Sequence, residues 1–176
     1  MSIIRPVKGP ITQDFDGNFA AERPGYYKPG NPASGKRSKF TGSVYRHDLH
    51  CGIDYACPVG SPLLAVHDGV VVAQGKDPWS GDAWFTQLRI RRTASWDVHV
   101  LYYHLAANTL KFKIGAAVKR GQVVALSGNT GWSTAPHLHF ALVRMARGTF
   151  PGKWFENLFF DPQPFIDGMD LTVIAP

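Results

Sequence analysis

Val98-His99-Val100-Leu101-Tyr102-Tyr103-His104 is a run of β-branched and ring-bearing residues, with Leu101 the one exception, and has no helical period. Side chains of this kind lose rotamer freedom against a helical turn and pack well on a pleated surface, so the run predicts a strand. Working outward from it, Val70–Ala73, Phe85–Ile90, Gln122–Leu126 and His137–Val143 read the same way. Turn signals separate them: Gly60-Ser61-Pro62, Asp68-Gly69, Ser80-Gly81-Asp82, Gly115, Gly121 and Gly128-Asn129. Strand character also shows near Ile11–Phe15. Residues 19–46 hold Pro24, Gly25, Pro29, Gly30, Pro32 and Gly35 and read as a long loop, a length that often marks function. Helical periodicity is weak throughout. The expected fold is mainly β, a small antiparallel sheet core with long loops on one side.

The chain has 176 residues, 44% of them apolar, which suits a single domain with a buried core. No stretch approaches the roughly 18 apolar residues of a spanning helix. The opening MSIIRPVKGP has no continuous apolar segment, and two cysteines are too few for a disulfide scaffold. The net charge of +6 is unevenly spread. No acid lies between Arg23 and His47 or between Val98 and Phe155, whereas Asp161, Asp167 and Asp170 face no Lys or Arg. A basic side of this kind suits an anionic partner such as a bacterial cell wall. No helix-turn-helix, finger or RNA-binding pattern accompanies the bases, so nucleic acid is not expected.

The seven histidines are His47, His50, His67, His99, His104, His137 and His139. Strand side chains alternate with a period of two. In His50-Cys-Gly-Ile-Asp54, positions 50, 52 and 54 share a face, with Gly52 leaving room for an ion between a ring nitrogen and a carboxylate. Cys51 then points away and, like Cys57, reads as a reduced thiol. In His137-Leu138-His139 the two imidazoles share a face while Leu138 anchors in the core. One can bind a metal while the other works beside it. Three protein ligands and an open water position make the usual catalytic zinc arrangement, and His50, Asp54 and one of His137 and His139 would supply them. Alternation puts His104 on the face of Tyr102 and His99 on the other. His47, His67 and His99 read as structural or surface residues.

At this point the motifs resemble the M23 (lysostaphin/LytM-type) zinc endopeptidases. His50-Cys-Gly-Ile-Asp54 resembles the family's H-x-G-x-D, and the following Pro58-Val-Gly60-Ser-Pro62 and Gly69-Val-Val71 resemble its next elements. Tyr102-Tyr-His104-Leu105 resembles Y-x-H-L. Gly121 to Phe140 resembles the block that ends in P-H-L-H-F, and Asp161-Pro-Gln-Pro-Phe-Ile166 resembles the closing D-P-x-x-Y-L. The match runs in order over roughly residues 6–166.

The resemblance implies a LytM-like core of barrel-sandwich-hybrid type with loops flanking a groove. It implies that His50, Asp54 and His139 bind zinc, that His104 and His137 are the catalytic pair, and that Tyr102 touches substrate. The implied activity is hydrolysis of peptide bonds in peptidoglycan stems or cross-bridges. Three departures should border the groove: the 19–46 loop, the segment Asp77–Asp97 with Trp79, Trp84 and Trp96, and the extra residues Ala146–Phe155. The expected organisation is one domain over residues 1–176, with a core about 6–166 and a tail 167–176. The expected partner is the peptidoglycan peptide, with the acid-free stretches flanking the site as an electrostatic guide to the wall. A monomer without a membrane span is expected. The missing apolar leader favours a bacteriolytic phage lysin (endolysin) or a virion part that acts at the wall after release from the host cytoplasm. Two alternatives differ in kind: a non-catalytic wall-binding or phage structural module on the same scaffold, and a lipoyl-type carrier sandwich suggested by Val118-Lys-Arg-Gly-Gln-Val-Val-Ala125.

Overall fold

The computed structural model describes residues 2–13, 26–27, 50–147 and 158–174. His47, nearly all of the 19–46 loop and most of the 146–155 segment lie outside the described residues. Eleven strands follow one another: β1 (Ile11–Gln13), β2 (Tyr26–Tyr27), β3 (Ile53–Ala56), β4 (Pro62–Leu64), β5 (Gly69–Asp77), β6 (Ala83–Arg92), β7 (Trp96–Leu105), β8 (Ala117–Val118), β9 (Val123–Leu126), β10 (His137–Ala146) and β11 (Leu158–Phe160). A four-residue helix, Gln163–Ile166, and a 3-10 turn, Leu171–Ile174, follow. The expected strands are all present, most of them longer than the runs that signal them. Strands as short as β8 and β11 carry no alternation long enough to read.

The main sheet runs β1-β3-β10-β7-β6-β5-β8, all antiparallel, with β11 also on β10 and β2 on β11. A separate ribbon pairs β4 with β9. The ten-residue strands β6, β7 and β10 form its centre. Both faces of that centre are covered. On one, Ile53, Tyr55, Val100, Tyr102, Leu138, Phe140 and Leu142 pack with Leu63, Val66 and Val124. On the other, Leu101, Tyr103, Ala141, Val143 and Met145 pack with Phe159. Burial on both faces is why Val98–Leu105 is apolar almost without interruption. Each fully buried Leu or Phe side chain contributes roughly 1.5–3 kcal/mol of transfer free energy.

The core reaches beyond the 6–166 boundaries expected from the sequence. Ile3 is buried and its N–H donates to the Phe165 carbonyl (3.1 Å). Leu171 and Ile174 are buried in the same cluster, so the segment 167–176 is more than an appended tail. Both residues are apolar and three apart, which sets them on one side of a tight helical turn.

Candidate active site

Asp54 and His139 are direct partners across the β3–β10 ladder, and His139 is opposite Tyr103 across β10–β7. Cross-strand partners share a face with Cβ atoms about 5 Å apart, so the ladder itself brings carboxylate and imidazole together. His50 joins them from the residues just before β3. Its Nε2 lies 3.0 Å from Asp54 Oδ1 and 2.9 Å from His139 Nδ1, and His139 Nδ1 is 2.9 Å from the same Oδ1.

Gly52 makes this convergence possible, though not in the way the sequence reading assigned. A Cβ there would stand 2.8 Å from His139 Cε1, 2.9 Å from its Nε2 and 2.5 Å from the Phe140 carbonyl oxygen. The space is taken by the His139 ring, not by an ion.

The three donor atoms fit a metal. They form a closed triangle, and no placement of protons on the two neutral rings turns all three edges into hydrogen bonds. One edge always sets two lone pairs or two N–H groups against each other. A cation on the threefold axis satisfies all three donors at once. The edges of 2.9–3.0 Å are slightly inside the roughly 3.3 Å of a tetrahedron with bonds of about 2.0–2.1 Å. Two imidazole nitrogens and one carboxylate oxygen are a zinc donor set, and the three residues are the metal-competent cluster among the described residues.

His104 and His137 stand beside this triangle with ring centroids 4.5 Å apart. His137 Nε2 approaches Asp54 Oδ2 to 3.6 Å. His104 Nδ1 lies 2.7 Å from the Thr130 carbonyl oxygen, and His137 Nδ1 lies 2.8 Å from that of Ala135 and 3.1 Å from Ser133 Oγ. A carbonyl only accepts, which assigns the hydrogen to Nδ1 in both rings. In the neutral ring Nε2 then carries the lone pair, and burial favours that form for His104.

His104 reaches this place against the expected alternation. Tyr102 and His104 do not share a face. The backbone of His104 is left-handed, with φ of 62°, and the register between β6 and β7 slips beside it. The two features turn the imidazole to the side of His139 while Tyr102 stays on the core side. Tyr102 therefore has no exposed surface with which to touch a substrate. It is fully buried, its hydroxyl donating to the Leu64 carbonyl (3.0 Å) and accepting from Val66 N–H (3.1 Å). It braces the segment after β4 against the sheet.

The electrostatics suit a cation. Burial raises the Asp54 carboxyl, but hydrogen bonds from His139 and His50 outweigh that and hold it well below the usual range. Burial pushes His104 down to about 4, with the Thr130 carbonyl opposing. Burial also lowers His139, opposed by Asp54. Asp54 is thus held ionised, and His104 and His139 are biased toward neutral rings.

The other described histidines, His67 and His99, stay outside. His99 is buried far along β7, its Nδ1 2.9 Å from Gln87 Nε2, and His67 is half-buried beside its turn. Cys51 and Cys57 are free, and burial pushes the Cys51 thiol up to about 12. Thr130, Ser133 and Ala135 escaped the sequence reading. Two of them act through main-chain carbonyls, which carry no residue-type signal. The detectable sign was the turn-rich Gly128–Pro136 leading directly into His137. Gly128 seats that loop, since a Cβ there would lie 2.5 Å from Ala106 N. Thr130 Oγ1 then donates to the Leu105 carbonyl (2.8 Å) and accepts from Trp84 N–H (3.0 Å).

A metal-competent triangle on a β sheet, flanked by two imidazoles anchored through Nδ1, is the arrangement of a metal-dependent hydrolase. The comparisons narrow that class. The model of peptidase family M23 matches residues 48–151, and the chain belongs to that family. It is 36% identical over 118 residues to glycyl-glycine endopeptidase ALE-1 of Staphylococcus capitis, covering 66% of this chain and 29% of ALE-1. The chain thus spans under a third of that relative's length. Among solved structures, the catalytic domain of lysostaphin from Staphylococcus simulans superposes with a TM-score of 0.56 at 30% identity, covering 81% of this chain and 90% of that one. A zinc-containing peptidase from Vibrio cholerae superposes at 0.55 and 30% identity, covering 84% of this chain and 37% of that one.

Proposed function

We propose that this chain is a zinc endopeptidase that hydrolyses peptide bonds of bacterial peptidoglycan, in a stem or a cross-bridge. The observation that carries the reading is the meeting of five side chains from distant parts of the sequence. His50, Asp54 and His139 supply the closed donor triangle, and His104 and His137 stand beside it. ALE-1 and lysostaphin, by their names an endopeptidase and an antimicrobial peptidase, support the substrate class.

His50 Nε2, Asp54 Oδ1 and His139 Nδ1 would hold the ion. Zinc supplies Lewis acidity, polarising a carbonyl and lowering the pKa of a water to about 7. The chain's own residues do the rest. Asp54 brings one negative charge and keeps the net charge of the cluster positive once loaded. The Nε2 lone pair of His104 or His137 accepts the proton of the attacking water. The resulting imidazolium, fixed by its Nδ1–H to a main-chain carbonyl, then hydrogen-bonds the developing oxyanion or returns the proton to the leaving amine. General acid–base help of this kind is worth about 10²–10⁴ in rate.

Zinc content by atomic emission, turbidity loss of purified walls, and mass spectrometry of the released peptides test the reading together. A chain that holds no zinc and leaves walls intact sinks it. The non-catalytic alternative predicts that His137→Ala changes nothing. The close anchoring of both Nδ1 atoms favours the enzyme, since a wall-binding module has no use for two oriented lone pairs beside a metal site.

A further inference from the structure

We propose that Trp132 is a specificity-determining residue, its indole the platform on which the substrate peptide lies beside the scissile bond. The proposal rests on the endopeptidase reading and deepens it. Trp132 is 48% exposed, one of few large apolar side chains so placed among the described residues. An exposed indole is ordinary when it is loose, but this one is seated.

Gly81, at φ of 69°, leaves its ring no clearance for a Cβ, which would collide with Cδ1 and Nε1 of the indole. Gly131, at φ of 74°, is likewise closed against Ala83 and the Ser80 carbonyl. Trp132 N–H donates to that Ser80 carbonyl (3.0 Å). The hairpin tip beneath is itself tied down. Ser80 Oγ donates to Asp77 Oδ2 (3.0 Å), and Tyr103, which faces His139 across the ladder, donates its hydroxyl to the same carboxylate oxygen (3.1 Å). Two positions thus forgo a side chain so that one apolar ring is held rigid and open to solvent.

Its place in the loop says what it meets. Thr130, two residues before it, holds His104 by its carbonyl, and Ser133, the next residue, touches His137 with its hydroxyl. The indole therefore stands on the segment that orients both catalytic imidazoles. A peptide whose carbonyl reaches those imidazoles would run along this segment, which carries the half-exposed indole. The ring offers a flat apolar face to Cα–H groups and small side chains, the chemistry of glycine- or alanine-containing peptides. Rigid aromatic anchors of this kind carry a large share of binding energy because little rotamer freedom is lost.

The test uses the zinc-loaded chain with synthetic pentaglycine, a synthetic alanine-containing stem peptide, and purified sacculi. Trp132→Ala should raise KM for the cleaved peptide on the order of tenfold with kcat changed less than about threefold, and Trp132→Phe should recover most of the loss. The same loss should appear on sacculi. An unchanged KM overturns the proposal, as does a defect on sacculi alone, which would place the contact on sugar. A Phe variant as poor as Ala with a lowered Tm also overturns it, since the seat would then be structural. In a His137→Ala background, the Ala change should weaken peptide affinity by a similar factor. If that holds while the wild type cleaves no peptide, the endopeptidase reading falls and the platform stands.

Discussion

His139 and His104 stand a ring apart, with centroids separated by 6.2 Å, yet they should fail differently when removed. His139 contributes a donor to the triangle, so His139→Ala should abolish stoichiometric zinc. His104 is turned toward His137 and anchored by Thr130, so His104→Ala should keep the zinc and lose turnover by about 10²–10⁴. Equal loss of metal in both variants would contradict the division of roles. Gly52→Ala should behave as His139→Ala without touching a donor, because its Cβ displaces the His139 ring. Metal analysis alone distinguishes it from a harmless glycine replacement.

Strand β7 carries a second prediction. His99 is buried among Gln87, Asp97, Arg89 and Arg92, and burial pushes it down to about 4, with Asp97 opposing and the two arginines reinforcing. A histidine whose folded value is depressed is stabilising while neutral. Its contribution is complete above about 6.5, the unfolded value, and is lost as the pH falls toward 4, where the folded form begins to charge. The metal-free chain should therefore lose up to about 3 kcal/mol over that window. His99→Gln should flatten that limb in urea titrations at successive pH values, and an unflattened limb would remove His99 as its cause. The same strand shows how far sequence reasoning reached. The run Val98–His104 announced a strand, and His137-Leu-His139 announced two rings on one face, because a period of two needs only a few residues. It misassigned Tyr102 and His104, because a single left-handed residue and a register slip invert the alternation and neither has a residue signature at a histidine. His50 and Asp54 were legible as a pair, while the reason for Gly52 depended on a ring arriving from 87 positions away in the sequence.

At the scale of the molecule, the bases of the 23–46 stretch lie outside the described residues, and several of the described ones gather at one end of the sheet. Arg91 and Arg92 face Val98 and Asp97 at one end of the sheet, Arg144 is also opposite Val98, and Arg147 lies beyond it. Lys119 and Arg120 share that end through Asp68, to which both donate. His137 and His139 lie at the other end of β10, about 23 and 17 Å from Arg144 at 3.3 Å per residue. These bases therefore do not flank the cluster; they would hold an anionic wall at a distance from it. Arg91→Glu with Arg92→Glu and Arg120→Glu should weaken sedimentation with walls and flatten its salt dependence, while cleavage of a short soluble peptide stays within about twofold. A metal in this cluster would act on the whole fold as well, because it would tie His50 and Asp54 to His139. A ligand at a thousand times its Kd stabilises by about 4 kcal/mol. At about 2–4 °C per kcal/mol, chelation should lower Tm on the order of 10 °C in a calorimetric scan. An unmoved Tm would place the ion elsewhere.

The left-handed backbone of His104 makes this position readable without any substrate. Every replacement there should lose most of the turnover, so an activity screen would see one undifferentiated class. Abundance or melting would still rank those inactive variants by how well each residue accepts φ of 62°. Glycine and asparagine should outlast alanine, and valine and isoleucine should fare worst, reversing the order expected of a strand position. A library scored for both quantities at once would therefore report the chain's twist at its most constrained point from a set of dead enzymes.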